Sequence, residues 1–485
     1  TVGNLVRYLQ GLEERGMSRE EILDRYVFFT AGACGPCRFG MYESEYRLAL
    51  RNAGFEGFRV LLFQQSGGLN QAEVQDGLAM NLDFFLAVLN GLSLGDLLNE
   101  IVYQIRPYEL NTGETDRVVG DIMDDLHETM RSKRPFRLEG RLARALSAVP
   151  GAAATAEYSG ALLEQLFGSH YVAPLERARA KLQAIPVDRL RPKPIVKVTG
   201  EFWAQTTEGD GNYRMFSFLE KEGAQVLVEP IATWIAYMIH GAQNKLRDRK
   251  GLEDGVIVPS WRRPVRRLRA EASAGRKIRR LGLARVLFAR QYERYRRALG
   301  GSAHRLADQL EMERIAHPFY NSRAAGGEGH LEVAKNVYYH HHDLCHMVLS
   351  LKPFGCMPST QSDGVQSAII SRFPEMIYLP IETSGEGEIN AHSRVQMALG
   401  EARGKARAEL ARALERGGYA LEQLRAYVAA HPELQAAGCP VGHHRGFSGV
   451  AANFALDVCA RMRAEGIAPA PEPARAPEIA TGVAS

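Results

Sequence analysis

Cys34-Gly35-Pro36-Cys37 holds two thiols on a tight Gly-Pro turn, a spacing that ligates a metal or cycles as a dithiol. The run Tyr26 to Thr30 reads as a short strand, and Tyr42 to Asn52 has helical apolar spacing at Tyr46, Leu48 and Leu50. The thiols are therefore expected at a strand-to-helix turn. There Cys37 would feel the positive end of the helix dipole, which favours the metal-binding thiolate. A third thiol, Cys356 in Phe354-Gly355-Cys356-Met357-Pro358-Ser359, follows the β run VLSLK in the same strand-end position. Open α/β sheets bind ligands at the carboxyl ends of their strands, so two such loops facing across a cleft could share one site. Three thiolates suit an iron-sulfur cluster or zinc, with a fourth ligand from another residue, water or substrate. Spacing alone leaves dithiol, zinc and cluster open, beside the plainer reading of Cys356 as a small buried residue.

Other reactive side chains are weighed against simpler roles. Cys345 and Cys459 sit on apolar helical faces and are expected in the core, while Cys439, beside Pro440, His443 and His444, is an outside candidate. His342 and His346 are spaced to share a helix face and bind a metal, but no Glu follows the first His as in a metalloprotease; a polar helix at a cleft or interface is preferred. Glu201 and Glu382 each end a β run and are candidates for acid-base work or substrate hydrogen bonding. Glu386 and Glu388 serve equally well as charges complementing a helix N-terminus. No glycine-rich phosphate motif is present, so any ATP hydrolysis is expected on another polypeptide or in a missing region.

These residues need an α/β frame to position them. At 485 residues, two or three domains are expected, with ordinary apolar and charged content. Lys plus Arg is 60 against 56 for Asp plus Glu, and the net charge of +4 is too small to argue for nucleic acid. Six cysteines exclude a disulfide-dense secreted scaffold, and neither a signal peptide nor an apolar run near eighteen residues stands out; a soluble protein of the reducing cytoplasm is expected, with no membrane partner. Residues 1–150 read as a first α/β domain with the Cys turn and a helical extension. Residues 151–400 read as a second, with strands at IVKVTGEF, QVLVE, VLSLK and Met376 to Glu382 and a basic helical insertion at about 261–300. Residues 401–467 read as helix, and 468–485, rich in Ala and Pro, as a disordered tail. The insertion, from Arg262-Arg263 to Arg296-Arg297, is expected first as a solvated face. An acidic partner or the phosphates of coenzyme A come next, and nucleic acid third.

Several passages together resemble the 2-hydroxyacyl-CoA dehydratase and benzoyl-CoA reductase-related iron-sulfur family, in its acyl-CoA dehydratase activase-related branch. They are TVGNLVRYL, AGACGPCRFGMYESEY, VTGEFWAQTTEGDGN with VLVEPIATWIAY, and GCMPSTQSDGVQ followed by ETSGEGEINAHSRVQ. CGPCRFG is the specific one, and together they run from residue 1 to about 400 in family order. The resemblance implies two flavodoxin-like (Rossmann-like) parallel-sheet domains holding a [4Fe-4S] cluster, with Cys34, Cys37 and Cys356 as ligands. A partner ATPase, as an activator subunit or a fused domain, would drive low-potential electrons onto the cluster. The expected function is the iron-sulfur component of an ATP-driven system acting on a coenzyme A thioester, with Glu201 or Glu382 handling the proton. The alternative is a noncatalytic cluster carrier or scaffold that docks the activator ATPase. Family members carry a further Cys upstream of the passage resembling TVGN, so the fourth ligand is expected there, or from Ser359, a carboxylate or solvent.

Overall fold

Leu5, Leu9 and Leu12 recur every three to four residues and line the inner face of α1 (Val2–Glu14), while Ile22 does the same on α2 (Arg19–Arg25). They cover a parallel pair, β1 (Val27–Gly32) and β2 (Arg59–Gln64), connected through α3 (Tyr42–Asn52). Tyr46, Leu50, Phe55, Phe58 and Val60 complete this core. The computed structural model describes residues 2–32, 38–64, 81–138, 152–249, 252–253, 256–257, 264–324, 327–385 and 387–469. Both strands and the helix of the N-terminal unit fall where the apolar spacing puts them. Cys34 and Cys37 lie outside the described residues, as does the expected tail from residue 470 onward.

A helical block follows, built from α4 (Leu82–Ile105), α5 (Glu114–Ser132), α6 (Ala152–Phe167) and α7 (Val172–Gln183). By length and apolar composition the segment Leu82–Tyr108 would pass for a membrane span, contrary to the expectation of no such apolar run. Here Leu94, Leu97, Leu98, Ile101 and Ile105 of that helix are buried against Ile122, Leu126, Leu175 and Leu182.

The larger sheet is four-stranded and wholly parallel. Its strands are β3 (Ile195–Gly200), β4 (Gln225–Leu227), β7 (Met347–Pro353) and β8 (Ile377–Thr383), in the order β4-β3-β7-β8. β3 is buried along its whole length, which is why it reads as an unbroken apolar run interrupted only by Lys197 and Thr199. Between β3 and β4 come α8 (Phe202–Thr206) and α9 (Met215–Lys221). α9 starts two residues later than its apolar pattern suggests, because Tyr213 and Arg214 take left-handed backbone angles.

The long excursion from β4 to β7 carries α10 (Ile231–Asp248), a short antiparallel pair β5 (Leu252–Glu253) and β6 (Val256–Ile257), α11 (Pro264–Ala298), α12 (Gln309–Ala316) and α13 (Gly329–His341). α11 is the basic insertion. α14 (Met357–Arg372) crosses from β7 to β8, and α15 (Glu388–Gly417) then runs unbroken past residue 400. Its first half packs on the sheet through Ala391, Val395 and Leu399. Its second half joins α16 (Leu421–Ala430), α17 (Pro432–Gln435) and α18 (Val450–Ala464) in a C-terminal core around Leu410, Ala413, Phe454 and Val458. The chain is thus an α/β protein, mostly helical, with small parallel sheets.

Candidate active site at the ends of β3 and β7

Strand order reverses direction between β3 and β7, and open parallel sheets bind ligands outside the carboxyl ends of strands at such a point. Gly200 ends β3 at φ +121°, where an added Cβ would lie 1.9 Å from the Leu351 carbonyl oxygen. Only glycine permits that approach, and it lets the Glu201 N–H donate to the same carbonyl at 2.8 Å. Gly200→Ala is therefore expected to cost at least about 2 kcal/mol, read as a lowered urea midpoint. A midpoint equal to wild type would show that the strand end relaxes freely.

Glu201 caps α8: one carboxylate oxygen accepts from the Trp203 and Ala204 N–H groups, each at 3.1 Å. Burial raises its pKa, the two N–H groups oppose that, and the Glu332 charge adds to the rise. Gln205, one turn on, donates to the Gly200 carbonyl at 2.9 Å and accepts from Lys335 Nζ at 3.0 Å.

At the end of β7, Gly355 takes φ +72° and Cys356 becomes the N-cap residue of α14, with Pro358 in the first turn. The buried Cys356 thiol lies 3.4 Å from Ser359 Oγ, which donates to Glu332 Oε1 at 2.5 Å. Ser362 Oγ donates to Glu332 Oε2 at 2.6 Å, so both oxygens of this fully buried carboxylate are satisfied. Burial raises the Cys356 pKa to about 11, despite its hydrogen bonding with Ser359, so the free thiol is protonated at neutral pH.

Glu328, Glu332 and Lys335 come from the start of α13. Gly327 at φ +71° presses on Pro358, and a Cβ on Gly329 would meet Tyr320 Oη at 2.7 Å, so the glycines let this turn seat against α14. Burial, reinforced by Glu201 and Glu332, raises the Glu328 carboxyl to about 8, and it stays protonated at neutral pH. Burial also raises Glu332, and lowers Lys335 to about 8 in spite of the nearby Glu229. Behind them Lys197 Nζ pairs with Glu229 at 2.7 Å. The site can therefore hold a proton on the Glu328 carboxyl, and accept one on a carboxylate near the Cys356 thiol.

Glu201 and Cys356 are thus brought to one place. Glu382 is exposed near the end of β8, opposite Lys352 in register and one strand removed from the reversal point. Lys352, buried within β7, instead pairs with Asp363, which also accepts from Tyr378 Oη at 2.8 Å. Cys345 and Cys459 are buried as expected, Cys459 on a helix but Cys345 in the turn into β7 rather than on a helical face, its thiol raised to about 12 by burial; Cys439 is half-buried. The helical pairing of His342 with His346 does not form. α13 ends at His341, Asp343 takes φ +52°, and the chain turns into β7. His342 meets Glu311 at 2.9 Å, whereas His346 accepts from the Ile195 N–H at 2.8 Å and meets Glu409 at 3.2 Å. Glu388 opens α15, in keeping with a charge at a helix N-terminus; Glu386 is outside the described residues. Among the described residues no three His, Cys, Asp or Glu side chains group as metal ligands, and of the three expected cluster thiols Cys356 is the one placed.

Sequence reasoning passed over Glu328, Glu332 and Lys335. The available signal was Gly326-Gly327-Glu328-Gly329 opening a helix, with charged residues four and seven positions after Glu328 on one face. No protein-family model matches the chain, and no match is found among curated proteins or solved structures.

Proposed function

We propose that this chain is the iron-sulfur component of an ATP-driven low-potential electron-transfer system acting on a coenzyme A thioester, of the 2-hydroxyacyl-CoA dehydratase or benzoyl-CoA reductase type. The observation that carries it is the Cys356 thiol at the carboxyl end of β7, near Glu332 and Glu201 where strand order reverses. Cys34, Cys37 and Cys356 would hold a [4Fe-4S] cluster, and the parallel orders β4-β3-β7-β8 and β1-β2 support two flavodoxin-like units bearing them. When bound, such a cluster supplies a low-potential electron and a Lewis-acidic iron. The chain's own residues handle the proton. Glu328 holds one in neutral form, and Glu201, its carboxylate fixed by two N–H groups, is placed to accept one from substrate. The activator ATPase of this reading, a partner subunit or a fused domain, belongs to the anaerobic metabolism of the cytoplasm.

Anaerobic reconstitution, iron and sulfide analysis and EPR of the reduced protein test this reading. Wild type is expected to take up about four irons, as a cluster of this type requires, and Cys356→Ala to lose most of the signal. No iron uptake, or uptake unchanged by the substitution, would remove the shared-cluster assignment.

A further inference from the structure

The outward face of α11 has no role in the site above. Between Glu271 and Glu293 it contains no acidic residue. At 100° per residue, Leu268, Arg269, Arg276, Arg279, Arg280, Leu283, Val286 and Arg290 fall in one stripe about 120° wide. All are exposed, and among the described residues no carboxylate pairs with these arginines; Lys277 flanks them, also exposed. The opposite side of the helix is anchored by Tyr292, Tyr295 and Phe288 in the helical core, so the stripe is a fixed surface.

Exposed apolar side chains interrupt the cations. Leu268 is 70 %, Leu283 59 % and Val286 46 % exposed. Arg294 clamps the carbonyls of Leu166, Phe167 and Gly168, holding the end of α6 against α11; there Phe167 is 75 % and Leu163, one turn earlier, 58 % exposed. From Leu268 to Val286 these tips spread over about 27 Å of helix axis, at 1.5 Å per residue.

We infer that this stripe is a reversible docking surface for an anionic membrane, with guanidinium groups on lipid phosphates and the apolar tips in the headgroup boundary. Distribution decides the partner. A protein interface gathers its apolar anchors into one central patch inside a polar rim, whereas here single aliphatic tips alternate with cations along a line. Sequence-tolerant nucleic-acid surfaces set aromatic rings among the cations for base stacking, and the α11 stripe itself has none, Phe167 standing beyond its end on α6. Arginine beside an apolar tip suits a bilayer boundary, where the tip inserts and the guanidinium stays at the phosphates. The expectation of no membrane partner is set aside for this face, which is independent of the cluster reading.

Vesicle co-sedimentation of the full chain tests it, comparing phosphatidylcholine with mixed phosphatidylcholine-phosphatidylglycerol. Binding is expected to the anionic vesicles alone, and to vanish between about 0.1 M and about 1 M salt as the screening length falls from roughly 10 Å to roughly 3 Å. R276E/R279E/R280E should weaken it by at least about 100-fold, since each cation near an anionic surface counts for about 1 kcal/mol. L283S/V286S should weaken it less and leave the salt dependence intact. Should the triple variant unfold by circular dichroism, R290E alone is expected to cost about tenfold on the same scale. Equal sedimentation with neutral vesicles, binding unaffected by charge reversal, or stripe-dependent binding of poly-uridylate or poly-glutamate without vesicle binding would overturn the assignment.

Discussion

Glu229→Ala is expected to lower the free energy of unfolding by about 3–5 kcal/mol, as when one partner of a buried ion pair is removed. Glu229 follows β4, Lys197 lies in β3, and their side chains meet at 2.7 Å with 4 % and 0 % exposure. Tyr339 of α13 donates to the same carboxylate at 3.1 Å and presents its ring 4.4 Å from the Lys197 ammonium. Burial works against ionising Glu229, yet Lys197 and Lys335 together hold it at about 2. Deleting the carboxylate leaves Lys197 in the interior with, among the described residues, only the Tyr339 ring against it, and removes from Lys335 the largest charge that offsets its burial. Replacing both members, as K197M/E229L, should recover most of the loss, because an apolar pair avoids the desolvation cost. The folded pKa is depressed, so the carboxylate's contribution is present above the unfolded value near 4.5 and is lost as pH falls toward 2. Urea titrations at pH 7 and pH 3 should show a large gap between wild type and Glu229→Ala that narrows in acid. A single variant costing under about 1 kcal/mol, the level of an exposed pair, would mean that solvent reaches Lys197 after all.

Why some of this was legible in the sequence, and some was not, follows from the range of the interactions. β3, β7 and the turn into α14 could be read because VLSLK is a continuous apolar run and Gly355-Cys356-Met357-Pro358 stops it, with signals spanning a few residues. The buried polar set could not. Lys335 finds Gln205, 130 positions away in the chain, and Glu332 finds Ser359 and Ser362 on another helix. α13 is buried almost all round, so it lacks the one-sided pattern that marks a surface helix. His342 and His346 failed for a local reason. A four-residue spacing implies a shared face only while the helix continues, and here it stops at His341. α4 shows the converse: composition alone cannot distinguish a membrane span from a core helix, and the contacts with α5 and α7 decide.

Glu328→Gln is expected to stabilise the protein in alkali and change little in acid. The Glu328 carboxyl sits at about 8 because burial, with Glu201 and Glu332 nearby, disfavours its charge. Its folded pKa therefore lies above the unfolded value of 4.5. The native chain keeps a proton that the unfolded chain has released, and stability falls as pH rises from about 4.5 to about 8. At about 1.4 kcal/mol per tenfold, the ceiling on that loss is roughly 5 kcal/mol, and glutamine, neutral throughout, avoids it. Lys335 shapes the upper end of this window. Burial lowers it to about 8, so its penalty is complete below that pH and fades as pH rises toward 10.5, opposite in sign to that of Glu328. Because Lys335 also draws Glu328 down, Lys335→Met should raise the Glu328 pKa further and steepen the alkaline loss that E328Q then rescues. Thermal unfolding at pH 5, 7 and 9 for wild type, the two single variants and the double variant separates these effects. If E328Q tracks wild type at pH 9, Glu328 is ionised in the native protein at neutral pH, and it cannot be the proton donor proposed for this site.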